Sequence, residues 1–355
     1  MKFVFAGGGT AGSVIPLISV YHELKKNLPD SDLLFIGTIS GNPEKSIVEQ
    51  HGIRFTSIFC GKLRRYFDFR NILDIVLIAI GFFQSLKILV SYKPSAVVSA
   101  GSYVGVPVIY AAKLLNIPVL IHQQDIRPSL SNRLTAWIAG HITVSFDIST
   151  RFFNARKTSL TGNPFRPDIL NGNPMRAISQ YKFDEKIPTI LIMGGGTGAR
   201  FINQLVCQSI GELTKNFQII HITGAGKSIQ LQDNSRYIQR EFMAERMPDA
   251  YALASIVVAR AGISTCTELM HLGKPSILIP LPNSHQEDNA QYFLDRSAVL
   301  VIEQDTATAK HFVETIRNLQ ANKVELQTLS KTIRTLGKTD AAQKIAQAII
   351  GLCKK

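Results

Sequence analysis

The chain has 355 residues, of which 45% are apolar and 18% charged, and its 39 Lys and Arg against 26 Asp and Glu give a formal net charge of +13. This apolar fraction supports large cores and excludes wholesale disorder, while the lack of a repeat period or Cys richness excludes collagen-like, coiled-coil and disulfide-scaffold proteins. The basic excess favours a polyanionic partner: nucleic acid, acidic lipid or a phosphorylated substrate. The alternative is surplus surface lysine that serves solubility.

The sequence indicates a reducing cytoplasm and no membrane crossing. The chain starts MKFVFAGGG, without a secretory signal, and its four cysteines lie far apart, with no CxxC spacing that would suit zinc. The longest apolar run, Ile72–Val90, contains Asp74, Gln84, Ser85 and Lys87, so it is a poor candidate for a spanning helix.

Short apolar runs alternate with amphipathic stretches of helical length, a pattern typical of parallel sheets built from βαβ units. In the first half, the runs that predict strands are Lys2–Ala6, Leu33–Ile36, Ala96–Ser99, Val119–His122 and Ile142–Val144. In the second half they are Thr189–Met193, Gln218–Ile222, Ile256–Val258, Ser276–Ile279 and Ala298–Val301. A tail with helical period, Thr339–Cys353, follows the last strand.

A strand followed by a glycine-rich loop occurs twice, at Gly7–Gly12 and at Gly194–Ala199. Each loop would open a domain, and the proline-containing segment 162–188 would connect the two. We therefore predict an α/β protein of two doubly wound, Rossmann-like domains facing a cleft, at 1–163 and 164–336. The remaining C-terminal helix, 337–355, could pack back on the N-terminal domain.

Both glycine loops precede a helical stretch, whose free N–H groups and positive dipole end suit a phosphate; a tight turn without a ligand is the alternative. Gly7, Gly9 and Gly12 fit GxGxxG, but neither following strand ends in the acid that binds the ribose of NAD, and no GxxxxGK[ST] occurs. The DxD triplet that starts at Asp30 precedes a strand and is interpreted as a turn. These features favour a sugar-nucleotide transferase that uses neither metal nor cofactor.

Seven motifs follow one another between Gly8 and Ala290. The chain reads GGTAGSVIP from Gly8, GSYVGVP from Gly101, HQQD from His122, GNPFR from Gly162, GGGTGAR from Gly194, RAGISTCTE from Arg260 and HQEDNA from His285. In this order they resemble the motifs of the MurG family of peptidoglycan N-acetylglucosaminyltransferases, among them GGTGGHxxP, HEQN, GNPVR, GGSQGAR and RSGAxTxxE.

The resemblance implies a GT-B glycosyltransferase. It implies inverting, metal-independent transfer of GlcNAc from UDP-GlcNAc to the 4-hydroxyl of MurNAc in lipid I, which forms lipid II in peptidoglycan synthesis. Two alternatives are a related GT-B transferase with a different acceptor and a weakly active or non-catalytic nucleotide-sugar-binding paralogue, since a fold does not fix a function.

The resemblance assigns UDP-GlcNAc to the second domain. Glu268 would accept hydrogen bonds from the ribose hydroxyls, Arg166 and the Gly194–Gly198 loop would hold the pyrophosphate, and Gln286 would bind the sugar. The alternative for Glu268 is an ordinary acid in the first turns of a helix. Gly196 stands where the family has Ser, which leaves only backbone contacts to phosphate there. The other donor contacts carried over from the family are Met243, Ile263, Ser264, Thr265, Cys266 and Thr267.

The acceptor side departs from the family pattern. The residues expected to line it are Thr10, Ala11, Gly12, Ser102–Gly105 and His122–Asp125. Ser13 stands where the family has His, and a serine hydroxyl is not a base at neutral pH. Gln123 replaces the family's carboxylate, whereas Asp125 introduces one in place of Asn. We predict that Asp125 or His122 accepts the proton and that Ser13 only positions the acceptor.

The segment 62–93 is basic and aromatic at first, then apolar around much of a helix. Such a segment suits an anionic lipid interface, whereas a buried helix beside a charged loop is the alternative. Because lipid I is held in the bilayer, the resemblance favours a peripheral protein on the cytoplasmic face of the bacterial cell membrane, attached near Arg64, Arg65 and Phe67. Lipid is preferred over nucleic acid as the partner of this segment.

Overall fold

A computed structural model describes residues 1–61, 70–195, 198–230, 234–243 and 245–354, with the backbone alone at 70–72. The chain divides into two compact units. One comprises Met1–Phe165 together with Lys338–Lys355, and the other comprises Arg166–Gly337.

The first unit is built on a parallel sheet. Its strands are β1 (Lys2–Ala6), β2 (Asp32–Thr38), β3 (Arg54–Ile58), β4 (Ala96–Ser99), β5 (Val119–Gln123), β6 (His141–Val144) and β7 (Thr158–Leu160). Within the described residues their order is β3-β2-β1-β4-β5-β6-β7, and each neighbouring pair is parallel. This order places the end of β1, and the glycine loop that follows it, near the middle of the sheet, where β1 pairs with both β2 and β4.

Helices cover both faces of this sheet. They are α1 (Ile15–Asn27), α2 (Glu44–Gln50), α3 (Arg70–Tyr92), α4 (Gly105–Leu114) and α5 (Leu130–Thr135). Side chains alternate between faces along each strand. Phe3 and Phe5 of β1 therefore pack in the core beneath α1, whereas Val4 packs in the core beneath α3 and α4.

The second unit repeats this architecture. Its strands are β8 (Thr189–Met193), β9 (Gln218–Ile222), β10 (Tyr237–Arg240), β11 (Ala254–Ala259), β12 (Ser276–Leu278) and β13 (Leu300–Val301). In the described residues they form a parallel sheet in the order β10-β9-β8-β11-β12-β13. Its helices are α6 (Pro174–Tyr181), α7 (Arg200–Leu213), α8 (Met247–Leu253), α9 (Ile263–Leu272), α10 (His285–Leu294), α11 (Ala309–Ala321) and α12 (Lys323–Thr335).

The last helix, α13 (Ala341–Leu352), belongs to the first unit. It packs against α1, and its Ile345 and Ile349 are buried in the same core as Phe3 and Phe5. The C-terminal segment therefore completes one face of the first sheet.

The predicted fold class of two doubly wound, Rossmann-like domains is confirmed. All ten predicted strands are present, with ends that differ by at most two residues. The sequence prediction missed β3, β7 and β10, which are all edge strands. Edge strands bury little of their surface, and these three carry polar residues such as Arg54, Ser159 and Gln239 instead of a continuous apolar run.

The expectation that the apolar run 72–90 is a poor candidate for a spanning helix was wrong on length and composition. Leu73–Tyr92 of α3 is long and apolar enough to cross a membrane, with a mean hydropathy of 2.0. The two charged residues, Asp74 and Lys87, are too few to offset the apolar ones. In the fold, however, this helix packs on α4, with Gly81, Ser85 and Leu89 buried.

Candidate functional site

The first glycine loop is shaped by close backbone packing and by two serines. Gly9 has a φ of +80°, and a Cβ there would lie 2.7 Å from Cε1 of Tyr103, so a larger residue would be strained and would clash. The hydroxyl of Ser13 accepts a hydrogen bond from the Gly8 N–H at 3.2 Å. The Ser102 hydroxyl donates to the Gly8 carbonyl at 3.0 Å. The first bond closes the loop after β1 on itself, and the second joins it to the loop after β4.

The residues of this first loop differ in their exposure. Ser13 is buried, with its hydroxyl directed at the backbone of Gly8, whereas Thr10 is exposed and Ala11 and Gly12 are half-buried. The loop therefore offers Thr10, Ala11 and Gly12 to a ligand, while Ser13 supports the loop from within.

His122 is buried at the end of β5 and bonded through both ring nitrogens. Its Nδ1 lies 2.9 Å from the Thr143 hydroxyl and its Nε2 lies 3.0 Å from Oδ1 of Asn163. Burial lowers the pKa of His122 to about 4, so the ring is neutral at pH 7. The imidazole thus joins β5, β6 and the segment after β7.

Gln123 holds the loop that carries Asp125. Its amide nitrogen donates to the carbonyl of Asp125 at 2.8 Å and to that of Arg127 at 2.9 Å, while its amide oxygen accepts from Nδ2 of Asn132 at 2.7 Å. A carboxylate in this position could accept the last bond but could not donate the first two. Asp125 itself is half-buried, which leaves part of its surface accessible.

Glu44 is a second acid beside this glycine loop, and the sequence reasoning missed it. It is fully buried, and its Oε1 accepts from the N–H of Thr38 at 3.1 Å and from the Thr38 hydroxyl. A Cβ on Gly8 would lie 2.7 Å from the same oxygen. In the sequence Glu44 looks like an ordinary acid in the first turn of a helix, so no sequence pattern predicts that it lies against the loop.

The second glycine loop is described at Gly194, Gly195 and Gly198; Gly196, the predicted phosphate contact, lies outside the described residues. Gly198 has a φ of +69°, and a Cβ there would lie 2.2 Å from the Thr223 carbonyl oxygen. Only glycine fits this approach of the loop to the end of β9.

The predicted donor motif forms the start of α9. Gly262 precedes the helix, so the first N–H groups at Ile263, Ser264 and Thr265 have no partner within the helix itself. Cys266 and Thr267 are buried, and the Thr267 hydroxyl donates to the Ile263 carbonyl at 2.8 Å. The first amides of α9, beside half-buried Gly262 and Ser264, are thus suited to an anion, while its second turn is fixed in the core.

Glu268 and Arg166 are 102 positions apart in the sequence but in contact in the fold. Nη2 of Arg166 lies 3.3 Å from Oε1 of Glu268, whose other oxygen accepts from the Tyr251 hydroxyl at 2.9 Å. Burial raises the pKa of Glu268, and the positive charge of Arg166 and the bond from Tyr251 oppose that rise. The Glu268 side chain is 14% exposed, so a ligand can still reach it.

The loop before α10 is held by Arg260, which opens the donor motif but was not predicted as a site residue. Its guanidinium donates to the carbonyls of Ile279 at 3.0 Å and Pro280 at 2.8 Å. Half-buried Gln286 follows, and its amide oxygen accepts from the Leu281 N–H at 3.1 Å. Its amide nitrogen remains suited to donate to a sugar hydroxyl.

Met243 lies apart from this hydrogen-bonded group. It is buried, with its sulfur 3.8 Å from the Tyr181 hydroxyl. It lines a surface pocket of about 320 Å³ together with Tyr181, Arg240 and the exposed Phe242. The lining combines apolar and aromatic side chains with four polar or charged ones, and its aromatic rings suit contact with a planar ring.

No group of three or more His, Cys, Asp or Glu that could hold a metal ion occurs among the described residues. The DxD triplet lies where the sequence predicted it, in the turn between α1 and β2. Its Asp32 begins the strand and pairs with Arg54.

Comparisons with known proteins agree with this geometry. The glycosyltransferase family 28 N-terminal domain matches residues 3–144, and the family 28 C-terminal domain matches residues 189–345. The chain is 35% identical, over 96% of its length and 94% of the relative's, to the Legionella pneumophila UDP-N-acetylglucosamine–N-acetylmuramyl-(pentapeptide) pyrophosphoryl-undecaprenol N-acetylglucosamine transferase. The chain belongs to the MurG family of glycosyltransferase family 28.

Two further relatives support this membership. The Clostridium botulinum enzyme of the same name is 36% identical over 93% of this chain and 94% of its own. The crystal structure of Acinetobacter baumannii MurG covers 99% of both chains with a TM-score of 0.77 at 24% identity, which supports the shared MurG-type fold. The resemblance inferred from the seven motifs is therefore confirmed.

Proposed function

We propose that this family 28 protein transfers GlcNAc from UDP-GlcNAc to the MurNAc 4-hydroxyl of lipid I, with inversion and without a metal, and so forms lipid II. The observation that carries the proposal is the match, over almost the whole chain, to relatives named for this transfer. The acid and the arginine that the family motifs assign to the donor are also in contact in the fold.

The residues proposed to bind UDP-GlcNAc lie in the second unit. Glu268 offers a carboxylate to the ribose hydroxyls, and Arg166 and the first amides of α9 offer positive charge to the pyrophosphate. Met243 and its pocket would contact the uracil, and Gln286 the sugar. Charge that develops on the diphosphate as it leaves would be stabilised by groups already in place, so no metal is needed for that purpose.

The residues proposed to bind and activate the acceptor lie in the first unit, and among them we assign Asp125 as the general base. The acceptor oxygen would attack the anomeric carbon of GlcNAc while the bond from that carbon to the diphosphate breaks, and Asp125 would take the hydroxyl proton. His122 is less suited to this role because it is buried, neutral and bonded through both ring nitrogens. We assign His122 and Ser13 to holding the two loops.

A transfer assay tests the proposal against its alternatives. Radiolabelled UDP-GlcNAc is incubated with the protein and either lipid I or a lipid-linked acceptor that lacks MurNAc, with and without EDTA, and lipid-linked label is counted. We expect label only with lipid I and equal rates in EDTA. Label only on the other acceptor would indicate a different transferase. No label, with UDP-GlcNAc still bound, would indicate a nucleotide-sugar-binding paralogue.

We further propose that the protein is peripheral at the cytoplasmic face of the bacterial membrane. One face of α3 is exposed and apolar along its length, with side chains between 41% and 68% exposed: Leu73, Val76, Ile80, Phe83 and Val90. Their spacing forms a stripe on the helix, in which Lys87 is the charged member. A helix with this exposed apolar stripe suits insertion among lipid headgroups.

Exposed apolar residues also occur at the neighbouring helices. α3 packs on α4 and α4 on α5; Leu114, the last residue of α4, and Trp137, two residues after α5, are 64% and 63% exposed. The sequence reasoning missed both, because single apolar residues in short helices carry no periodic signal. The predicted anchors Arg64, Arg65 and Phe67 lie outside the described residues.

Vesicle binding tests the membrane proposal. Phe83→Asp is compared with Val324→Asp, because Val324 is equally exposed, at 74% against 68%, but lies on α12 of the other unit. On phosphatidylglycerol vesicles we expect the Phe83 variant to bind at least about tenfold more weakly and the Val324 variant to bind as wild type. Equal binding by both variants would contradict the assignment of this face.

A further inference from the structure

Tyr251 is a fully buried residue of α8 whose hydroxyl reaches the edge of the donor site. The hydroxyl donates to Oε2 of Glu268 at 2.9 Å and lies 3.4 Å from the sulfur of Met193. Met193 is the last residue of β8, directly before the second glycine loop. Tyr251 therefore touches both the residue that precedes the phosphate-binding loop and the acid that would bind the ribose.

A phenylalanine could fill the same space in this core. Burying a phenol hydroxyl is unfavourable unless it is hydrogen-bonded, and the charged oxygen of Glu268 is a much stronger acceptor than a thioether sulfur. The hydroxyl thus has its main partner in Glu268. The ring is packed on all sides, so the hydroxyl can act only from this fixed position.

The number of acceptor sites on Glu268 matches this arrangement. A carboxylate offers about four lone-pair directions. Tyr251 uses one on Oε2 and Arg166 uses one on Oε1, which leaves about two for the two hydroxyls of a ribose.

Arg166 and Tyr251 differ in their freedom to move. The Arg166 side chain is 29% exposed and also lies 3.9 Å from Asp168. If Arg166 turns towards a pyrophosphate, its hold on Glu268 weakens, whereas the buried hydroxyl of Tyr251 stays in place.

We infer that Tyr251 is a positioning residue for donor recognition: its hydroxyl fixes the Glu268 carboxylate in the orientation that accepts the 2′- and 3′-hydroxyls of the ribose. The inference rests on the proposed function, in which Glu268 binds the ribose of UDP-GlcNAc. It predicts that the hydroxyl of Tyr251 governs discrimination between ribose and deoxyribose, and not merely stability.

The test compares the affinities for UDP and 2′-deoxy-UDP by calorimetry in the wild type, Tyr251→Phe and Tyr237→Phe. Tyr237 is the matched control, because its hydroxyl is also buried in the second unit and is bonded to a side chain, Nδ1 of His221, at 2.8 Å. We expect wild type and Tyr237→Phe to prefer UDP by about tenfold or more, and Tyr251→Phe by about threefold or less. The KM for UDP-GlcNAc should rise in Tyr251→Phe while kcat changes little.

A double-mutant cycle with Glu268→Gln provides the second measurement. If Tyr251 acts through Glu268, Tyr251→Phe has little further effect on UDP affinity in the Glu268→Gln background, whereas independent effects would multiply and contradict the inference. An unchanged preference for UDP in Tyr251→Phe would overturn the inference and leave the proposed function standing. A wild type that binds both nucleotides equally would contradict the ribose contact of Glu268, and the inference with it.

Discussion

The two units build their glycine-loop sites from different materials. In the first, hydroxyl and amide groups of Ser13, Ser102 and Gln123 bind the backbone, and half-buried Asp125 lies in the loop that Gln123 holds. In the second, an arginine pairs with a partly buried acid in the second turn of α9. A shared strand–loop–helix frame thus carries mainly neutral hydrogen-bonding groups in one unit, where we propose a base, and a charged pair in the other, where we propose a charged ligand.

The two units nevertheless have one feature in common, because each contains a buried and neutral histidine. His122 of the first is bonded to Thr143 and Asn163, and His221 of the second to Tyr237 and Asn203. Burial lowers the pKa of each to about 4. We interpret both as structural links between strands and loops, so the comparison assigns proton transfer to neither.

The largest expected effect comes from removing the acid of the first site. Asp125→Asn keeps the shape of the side chain but removes its capacity to take a proton, so kcat for transfer to lipid I should fall by about 10²–10⁴-fold. Asp30→Asn is the control, because it makes the same change at an exposed turn of the same unit. A near-normal rate in Asp125→Asn would contradict its assignment as the base.

A smaller effect is expected from His122 and His221, which should make the stability of the protein depend on pH. Each imidazole has an unfolded pKa near 6.5 and a folded pKa of about 4. Between these values the unfolded chain binds more protons, so the free energy of unfolding falls as the pH falls through this range. We expect about 1–2 kcal/mol of this loss per histidine between pH 7 and pH 5.

Urea unfolding followed by circular dichroism measures this pH dependence. His122→Gln and His221→Gln should each lose less stability on acidification than wild type, while exposed His311→Gln should match wild type. If neither buried variant flattens the pH dependence, the two histidines are not the neutral links that the comparison assumes.

The smallest effect is expected at Ser13. Ser13→Ala leaves the Gly8 N–H without its 3.2 Å partner, which should cost about 1 kcal/mol of stability. Because the hydroxyl acts on the loop and not on the acceptor, turnover should fall less than about tenfold. A fall as large as that of Asp125→Asn would show instead that Ser13 acts on the reacting hydroxyl.

The sequence predicted the fold well because most strands are buried on both faces and appear as apolar runs. It failed at β3, β7 and β10, whose edge positions require few apolar residues. It also located both glycine loops and the donor motif, since glycines and charged residues at fixed spacing depend on local geometry.

The roles of individual side chains were harder to predict than their positions. The bonds of Gln123 to two carbonyls, the burial of His122, and the contact of Tyr251 with Glu268 depend on which segments meet in three dimensions. A sequence pattern gives the type of residue at each position but not the partner that it meets.

We propose that the first unit supplies the base and the second binds the donor, and calorimetric titration with UDP separates these two roles. Asp125→Asn and Glu268→Gln are titrated in parallel with wild type. We predict that Asp125→Asn binds UDP within about threefold of wild type, whereas Glu268→Gln, which loses charge-assisted bonds to the ribose, binds at least about tenfold more weakly. Loss of UDP affinity in Asp125→Asn, or wild-type affinity in Glu268→Gln, would contradict this division of roles.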